Sequence, residues 1–250
     1  MSGLLEVRDL RIAFGGIRAL DGVSLEVAEG ETVALIGPNG SGKTSLFNCT
    51  TGAYRATGGT ISFAGESLLG LAPDAVARRG IARTFQNLRL FGSLTVLDNV
   101  LVGRERHWKK SLLGALLRGR REEVRQRTSA EEVLEFLDLE PWRKRRAADC
   151  PYGVQKRVEL ARALAAEPRL LLLDEPVAGL TAEEKEELSY WIHEIRGRLR
   201  ITVLLVEHDL RVVSRLAGRV VALEEGRVIA QGTPAEVQGH PEVVRAYLGD

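Results

Sequence analysis

Thr32-Val33-Ala34-Leu35-Ile36-Gly37-Pro38-Asn39-Gly40-Ser41-Gly42-Lys43-Thr44-Ser45 joins a short apolar run to a glycine-rich turn and then to the start of a helix. Positions 37–44 satisfy the G-x-x-x-x-G-K-[ST] spacing of a phosphate-binding loop. The flanks agree: Thr32 to Ile36 reads as a buried strand, and Lys43 through Thr51, closed by Gly52, reads as a short helix. In such a strand–turn–helix unit, successive backbone N–H groups converge on phosphate oxygens, with the positive end of the helix dipole behind them. The glycines allow close approach, Lys43 supplies a point charge for the β- and γ-phosphates, and the Thr44 hydroxyl can ligate Mg²⁺. Gly37, Pro38, Asn39, Gly40, Ser41, Gly42, Lys43, Thr44 and Ser45 are therefore the candidate phosphate-binding residues. The expected ligand is a nucleoside triphosphate with Mg²⁺.

A second chemical element stands far along the chain. Leu170-Leu171-Leu172-Leu173-Asp174-Glu175-Pro176 places two carboxylates at the C-terminal end of an apolar strand, where open sheets bind ligands. Asp174 is placed to hold the Mg²⁺ shell, and Glu175 to accept a proton from attacking water. Ile201 to Glu207 forms a similar strand, and His208 after it falls at the same sheet edge, suited to a γ-phosphate contact. His107, His193 and His240 have no such context and read as structural.

The rest of the chain supplies the frame. Leu4 to Arg8 and Gly22 to Val27 alternate loosely and flank Phe14-Gly15-Gly16, as antiparallel strands do, and Gly59 to Gly65 holds another short strand. From about Thr95 to Leu164 the pattern is helical, and a Glu-rich helix is expected from Thr181 to about Arg196. Strands alternating with helices imply an α/β architecture, a parallel sheet covered on both faces. Among 250 residues, 35 basic and 34 acidic side chains nearly cancel, which argues against a general nucleic-acid binder. Cys49 and Cys150 have no metal or redox spacing, and Cys49 is expected to pack. No secretory segment is read at the start, since Glu6, Arg8 and Asp9 interrupt it. No apolar run reaches membrane-span length. Between Arg104 and Arg127, nine Lys/Arg face three Glu, with Trp108, Leu112, Leu113, Leu116 and Leu117 at helical spacing. This stretch is either a solvated basic helix packed by its leucines or a contact for anionic headgroups.

Taken in order, these motifs resemble the nucleotide-binding subunit of an ATP-binding-cassette (ABC) transporter over essentially the whole chain. The resemblance implies a P-loop ATPase core with a parallel sheet, an N-terminal antiparallel β subdomain and an α-helical subdomain. It implies one nucleotide-binding domain over 1–250, with 1–87 and 165–250 as the core and 88–164 as the helical part. It assigns Phe14 to adenine stacking, and Gln86 to the metal and the attacking water. Glu175 becomes the catalytic base, His208 the switch histidine, and Ala178-Gly179-Leu180-Thr181 a loop that crosses a dimer interface. Thr181 stands where the family usually has aspartate. The signature, usually Leu-Ser-Gly-Gly-Gln, is here Cys150-Pro151-Tyr152-Gly153-Val154. Pro151, Tyr152, Gly153 and Val154 would thus meet the ATP of a second ATPase subunit, with Pro151 at home in a first helical turn. Pro151 replaces a serine hydroxyl, which is either a subfamily variant or the mark of a slow site.

Gly80 to Phe91, Leu94 to Val100, Tyr152-Gly153, Glu224 to Ile229 and Ala246 to Gly249 are similar to the branched-chain amino acid uptake group. That group includes relatives acting on urea and short amides. The resemblance further implies transmembrane permease partners, with Arg89, Leu90, Phe91 and Leu94 as contact candidates. It also implies an extracytoplasmic solute-binding protein acting indirectly, and a place at the cytoplasmic face of the cell membrane. A soluble ATPase of the same family is the alternative.

Overall fold

The computed structural model describes residues 3–105 and 112–248, with the backbone alone for 112–120 and 248. Two sheets share one interior. The first is antiparallel, in the order β2-β1-β4-β5, built from β1 (Leu5–Phe14), β2 (Ile17–Val27), β4 (Gly58–Phe63) and β5 (Glu66–Ser67). Its first two strands are longer than the alternation suggests. Gly15 and Gly16 both take positive φ (52° and 90°) and turn the chain tightly enough for pairing to run up to Phe14↔Ile17.

The second sheet has the order β10-β9-β3-β8-β7-β6. Its strands are β3 (Thr32–Ile36), β6 (Ile81–Arg83), β7 (Leu170–Asp174), β8 (Thr202–Val206), β9 (Arg219–Glu224) and β10 (Arg227–Gly232). β9, β3, β8, β7 and β6 run parallel, and β10 closes the edge in the opposite sense. Every residue of β3, β7 and β8 is buried, which is why these strands read as unbroken apolar runs.

The pleat sorts those residues between two cores. Leu35, Leu170, Leu172, Leu204 and Val206 face the antiparallel sheet and Phe47, while Ala34, Leu171, Leu173, Val203 and Leu205 face the helices. The helices are α1 (Lys43–Thr50), α2 (Pro73–Arg78), α3 (Val96–Gly103), α4 (Leu112–Phe136), α5 (Tyr152–Ala165) and α6 (Ala182–Leu199). Then follow α7 (Leu210–Leu216), α8 (Pro234–Gln238) and α9 (Pro241–Leu248). The predicted Glu-rich helix, α6, extends to Leu199 and ends where Arg200 turns left-handed (φ 54°). Thr181 caps its start in a reciprocal box with Glu184, a local reason for threonine at that position. Cys49 is buried, and burial pushes its thiol up to about 11. It is a packing residue, as expected.

The basic stretch is not uniformly solvated. Arg104 is buried, with Nε donating to Gln126 at 2.6 Å and Nη1 to the Ala165 carbonyl at 3.1 Å and to Glu167 at 3.0 Å. It is a structural clamp at the end of α3. Positions 106–111, with His107 and Trp108, lie outside the described residues, as do the side chains of Leu112, Leu113, Leu116 and Leu117. No helix among the described residues is long and apolar enough to cross a membrane.

Candidate active site

Parallel pairing of β3, β8 and β7 carries three loops to one sheet edge: Gly37–Gly42 after β3, Glu175 after β7, and Glu207–Asp209 after β8. The phosphate loop is tightly built. A Cβ on Gly37 would stand 2.1 Å from the Leu223 carbonyl oxygen, and one on Gly42 (φ 107°) 2.5 Å from that of Ala19. Only glycine fits at these two points. Gly42 caps α1 without any side-chain hydrogen bond, so the first-turn amides are free to receive an anion. Asn39, Gly40 and Thr44 are exposed, Pro38 and Ser45 half-buried, and the Ser41 hydroxyl packs inward within 2.7 Å of where a Gly37 Cβ would be.

Lys43 is folded onto its own loop. Nζ donates to the carbonyls of Gly37 (2.7 Å) and Pro38 (2.8 Å) and to Ser41 Oγ (3.4 Å). Burial holds this ammonium below its ordinary value, while the Glu175 and Asp174 carboxylates pull it back up. Those carbonyls occupy the donors that phosphate oxygens would otherwise take.

Across the edge, Glu175 sits in a left-handed conformation (φ 47°), uncommon for a residue with a Cβ and sited where function tolerates such strain. Gln86 Nε2 donates to Glu175 Oε2 at 2.9 Å, leaving the amide oxygen as the end that can ligate a cation. The exposed His208 places Nδ1 4.0 Å from the same carboxylate oxygen. The structure thus brings Lys43, Gln86, Asp174, Glu175 and His208 together. Phe14 is not a core residue: it is 46% exposed, edge-on to Tyr54 with ring centroids 5.2 Å apart. An exposed ring in an aromatic pair is available to stack on a base.

Asp174 is differently employed than its position alone suggests. Its Oδ2 is held at 2.7 Å by Arg83, whose other arm reaches Asn48 Oδ1 at 2.6 Å, and both side chains of the ion pair are buried. The guanidinium also lies over the rings of Phe47 and Phe85. One carboxylate oxygen remains for a cation. Among the described residues, no three His, Cys, Asp or Glu cluster as a metal cage. A partial set of hard oxygen donors from Thr44, Gln86 and Asp174 suits Mg²⁺, which keeps waters and takes phosphate oxygens.

Several contributors carry no motif. Glu207, buried at the end of β8, accepts N–H bonds from Val177 (3.2 Å), His208 (3.1 Å) and Asp209 (3.4 Å), tying the loop after β7 to that after β8. Burial pushes its carboxyl up, against those three amides. On α5, Lys156 donates to the Gln86 carbonyl at 3.3 Å, and Glu159 accepts the Arg89 N–H at 3.4 Å. Arg162, one turn further, donates to the Arg89 carbonyl. These three stand at i, i+3 and i+6 and hold the main chain of the Gln86 loop. An acid between an apolar strand and His208 was a legible signal. The α5 residues offered none until their partners were in view.

The signature segment departs from expectation in two respects. Pro151 is the N-cap of α5, outside its first turn, with no capping side-chain bond. Val154 is buried in the core with Val158, because apolar residues at i and i+4 form the inner face of α5. Its side chain has no path to a phosphate. Tyr152 and Gly153 instead touch their own chain: the Tyr152 ring covers Gly179 and its hydroxyl donates to the Ala178 carbonyl at 3.4 Å. Gly153 abuts the Glu184 carboxylate, 2.5 Å from where a Cβ would be.

The chain matches known proteins over nearly its whole length. The profile of the family described as "ABC transporter" matches residues 20–178, and that described as "Branched-chain amino acid ATP-binding cassette transporter" matches 227–250. The chain is 42% identical to the high-affinity branched-chain amino acid transport ATP-binding protein BraF of Pseudomonas aeruginosa, covering 99% of this chain and 98% of that protein. It is likewise 42% identical to LivG of Escherichia coli, of the same description and coverage. A nucleotide-free ATP-binding cassette from an ABC transporter superposes with a TM-score of 0.87 at 31% identity, over 99% of both chains. A dimeric cassette in a post-hydrolysis state bound to ADP and Pi gives 0.77 at 27% identity, over 92% of this chain and 98% of that one.

Proposed function

We propose, given that this chain belongs to the ABC transporter family as one of its ATP-binding cassettes, that it is the ATPase subunit of an importer for branched-chain amino acids. The observation that carries the reading is a single sheet edge bearing both a phosphate loop and a Glu175–Gln86–His208 cluster. The solute class is supported by the relatives' names and by the match over 227–250.

In this reading ATP exchanges with the Gly37 and Pro38 carbonyls for the Lys43 ammonium, and the α1 amides receive its phosphates. Phe14 stacks on the base. Thr44, Gln86 and Asp174 would hold Mg²⁺, which supplies charge neutralisation on the phosphates. Glu175 takes the proton of the attacking water, and His208 contacts the γ-phosphate. A second ATPase subunit lays the Pro151–Gly153 end of its α5 over that phosphate, so closure excludes water and does work on the permeases. Of the contact candidates, Arg89 and the exposed Phe91 and Leu94, joined by exposed Phe85, form the face offered to the membrane subunits, while Leu90 packs partly buried against the helix-side core. In this reading the protein works peripherally, on the cytoplasmic face of the membrane.

The test is reconstitution with two permease subunits and a solute-binding protein in liposomes. ATPase activity stimulated by leucine, isoleucine or valine is expected. Stimulation by urea or an amide alone would change the solute, and failure to co-purify with any permease would remove the importer reading. In the same assembly, Pro151→Ser restores a hydroxyl whose bond to a charged phosphate is worth about 1.5–3 kcal/mol. Turnover should rise roughly ten- to a hundredfold if that bond is rate-determining; unchanged turnover identifies Pro151 as a neutral variant. A serine N-cap should also raise the melting temperature, independently of turnover.

A further inference from the structure

Gly37 carries an unusual burden. It is buried, its Cα is pressed against the Leu223 carbonyl, and its own carbonyl receives the Lys43 ammonium at 2.7 Å. Its N–H, at the hinge between β3 and the phosphate loop, lies beyond the last parallel pairing of that strand's end. A buried amide without a partner costs about 1–3 kcal/mol. The partner comes from 210 residues away: the Gly37 N–H donates to the Tyr247 hydroxyl at 2.9 Å.

Tyr247 is on the last turn of α9, which sits against β10 and α8, and one turn earlier Val243 is buried in the helix-side core. Val243 and Tyr247, at i and i+4, face the same way, so packing of the first aims the second. Tyr247 is 40% exposed, and its hydroxyl, neutral at physiological pH like any tyrosine's, is pushed further up by the burial it does have. This segment lies within the 227–250 stretch matched by the branched-chain profile, and the catalytic reading gives it no task.

The geometry points to Tyr247 as a positioning residue for the phosphate loop. Its hydroxyl holds the N–H of the Ile36–Gly37 peptide, and the next peptide, Gly37–Pro38, carries the carbonyl that holds Lys43 before nucleotide arrives, so nucleotide affinity depends on the C-terminal helix. With the plane before the Gly37 Cα pinned by Tyr247 and the plane after it by Lys43, rotation about both backbone bonds of this glycine is restrained. When Lys43 leaves for a phosphate, the Tyr247 contact is the restraint that remains on Gly37, holding the plane before its Cα while the plane after it is released. This inference rests on the ATP-binding reading above.

Tyr247→Phe tests it, because the ring and its packing remain and only the acceptor is lost. Equilibrium binding of ATP without Mg²⁺ should weaken about fivefold, the worth of one net hydrogen bond of about 1 kcal/mol. Amide exchange at Gly37, followed on the nucleotide-free protein, should quicken, while the melting temperature stays within a few degrees of wild type. In steady state the loss should fall on KM with kcat unchanged. Wild-type affinity together with wild-type Gly37 exchange would overturn the proposal. Equal weakening of kcat and KM would overturn it as well, assigning Tyr247 to general stability. If wild-type protein itself bound no ATP, the functional reading would fail first, and the Gly37 exchange rate would still decide the contact.

Discussion

Glu175→Gln is expected to bind ATP with near wild-type affinity while turnover falls by roughly 10²–10⁴-fold, the usual contribution of a positioned general base. The substitution preserves shape and the neighbourhood of Gln86 and His208, 2.9 Å and 4.0 Å from the carboxylate oxygen. It removes only the ability to take a proton. Removing a negative charge beside Lys43 also takes away one of the two carboxylates that offset that ammonium's burial. Phosphate affinity should therefore hold or tighten rather than fall. With hydrolysis blocked, two copies closed over ATP should persist long enough to elute as a dimer in size exclusion. A variant with wild-type turnover would remove Glu175 from the role, and loss of ATP binding would show the glutamate to be structural.

Arg83→Met should be the most destabilising single change near the site. Arg83 and Asp174 are both buried and paired at 2.7 Å, and deleting the cation leaves a buried carboxylate uncompensated. Breaking such a pair from one side costs about 3–5 kcal/mol, against a total stability of roughly 5–15 kcal/mol for a native protein. For a chain of this size that corresponds to a fall in melting temperature on the order of 10 °C. The methionine also gives up the ring contacts with Phe47 and Phe85 and the Asn48 bond. Adding Asp174→Asn to Arg83→Met should recover part of the loss, since the stranded charge disappears, whereas independent sites would simply add. Denaturant melts of the two single variants and the double variant decide it. A single Arg83→Met variant melting with wild type would show the pair to be energetically idle.

What the sequence made legible was whatever is specified by neighbours along the chain. The phosphate loop, the strand before it and the helix after it are one continuous pattern, and Leu170–Leu173 can only be a strand buried on both faces. Contacts between distant segments were not legible. Arg83 and Asp174 are 91 residues apart, and nothing near either announces the other. Tyr247 stood in a run noted for its resemblance, yet its partner is at the opposite end of the sequence. β6 is three residues long, too short for periodicity to register, although β9, bounded by Gly218 and Gly226, carries the apolar run Val220–Leu223 that marks a strand. Val154 illustrates the opposite error. A motif position placed it at a phosphate, while its spacing from Val158 already assigned it to the interior.

The three charged groups on α5 bear on how this helix can change over generations. Lys156 and Glu159 are each about 3% exposed, and with Arg162 they are fastened to the backbone of 86–89. Removing Lys156 or Glu159 leaves the other a buried charge without its counter-charge, so these two can be exchanged only in concert. Pro151 and Tyr152, at the exposed end of the same helix, hold no buried charge. Substitution is thereby easier at the tip, which in the proposed dimer meets the second subunit, than in the shaft behind it.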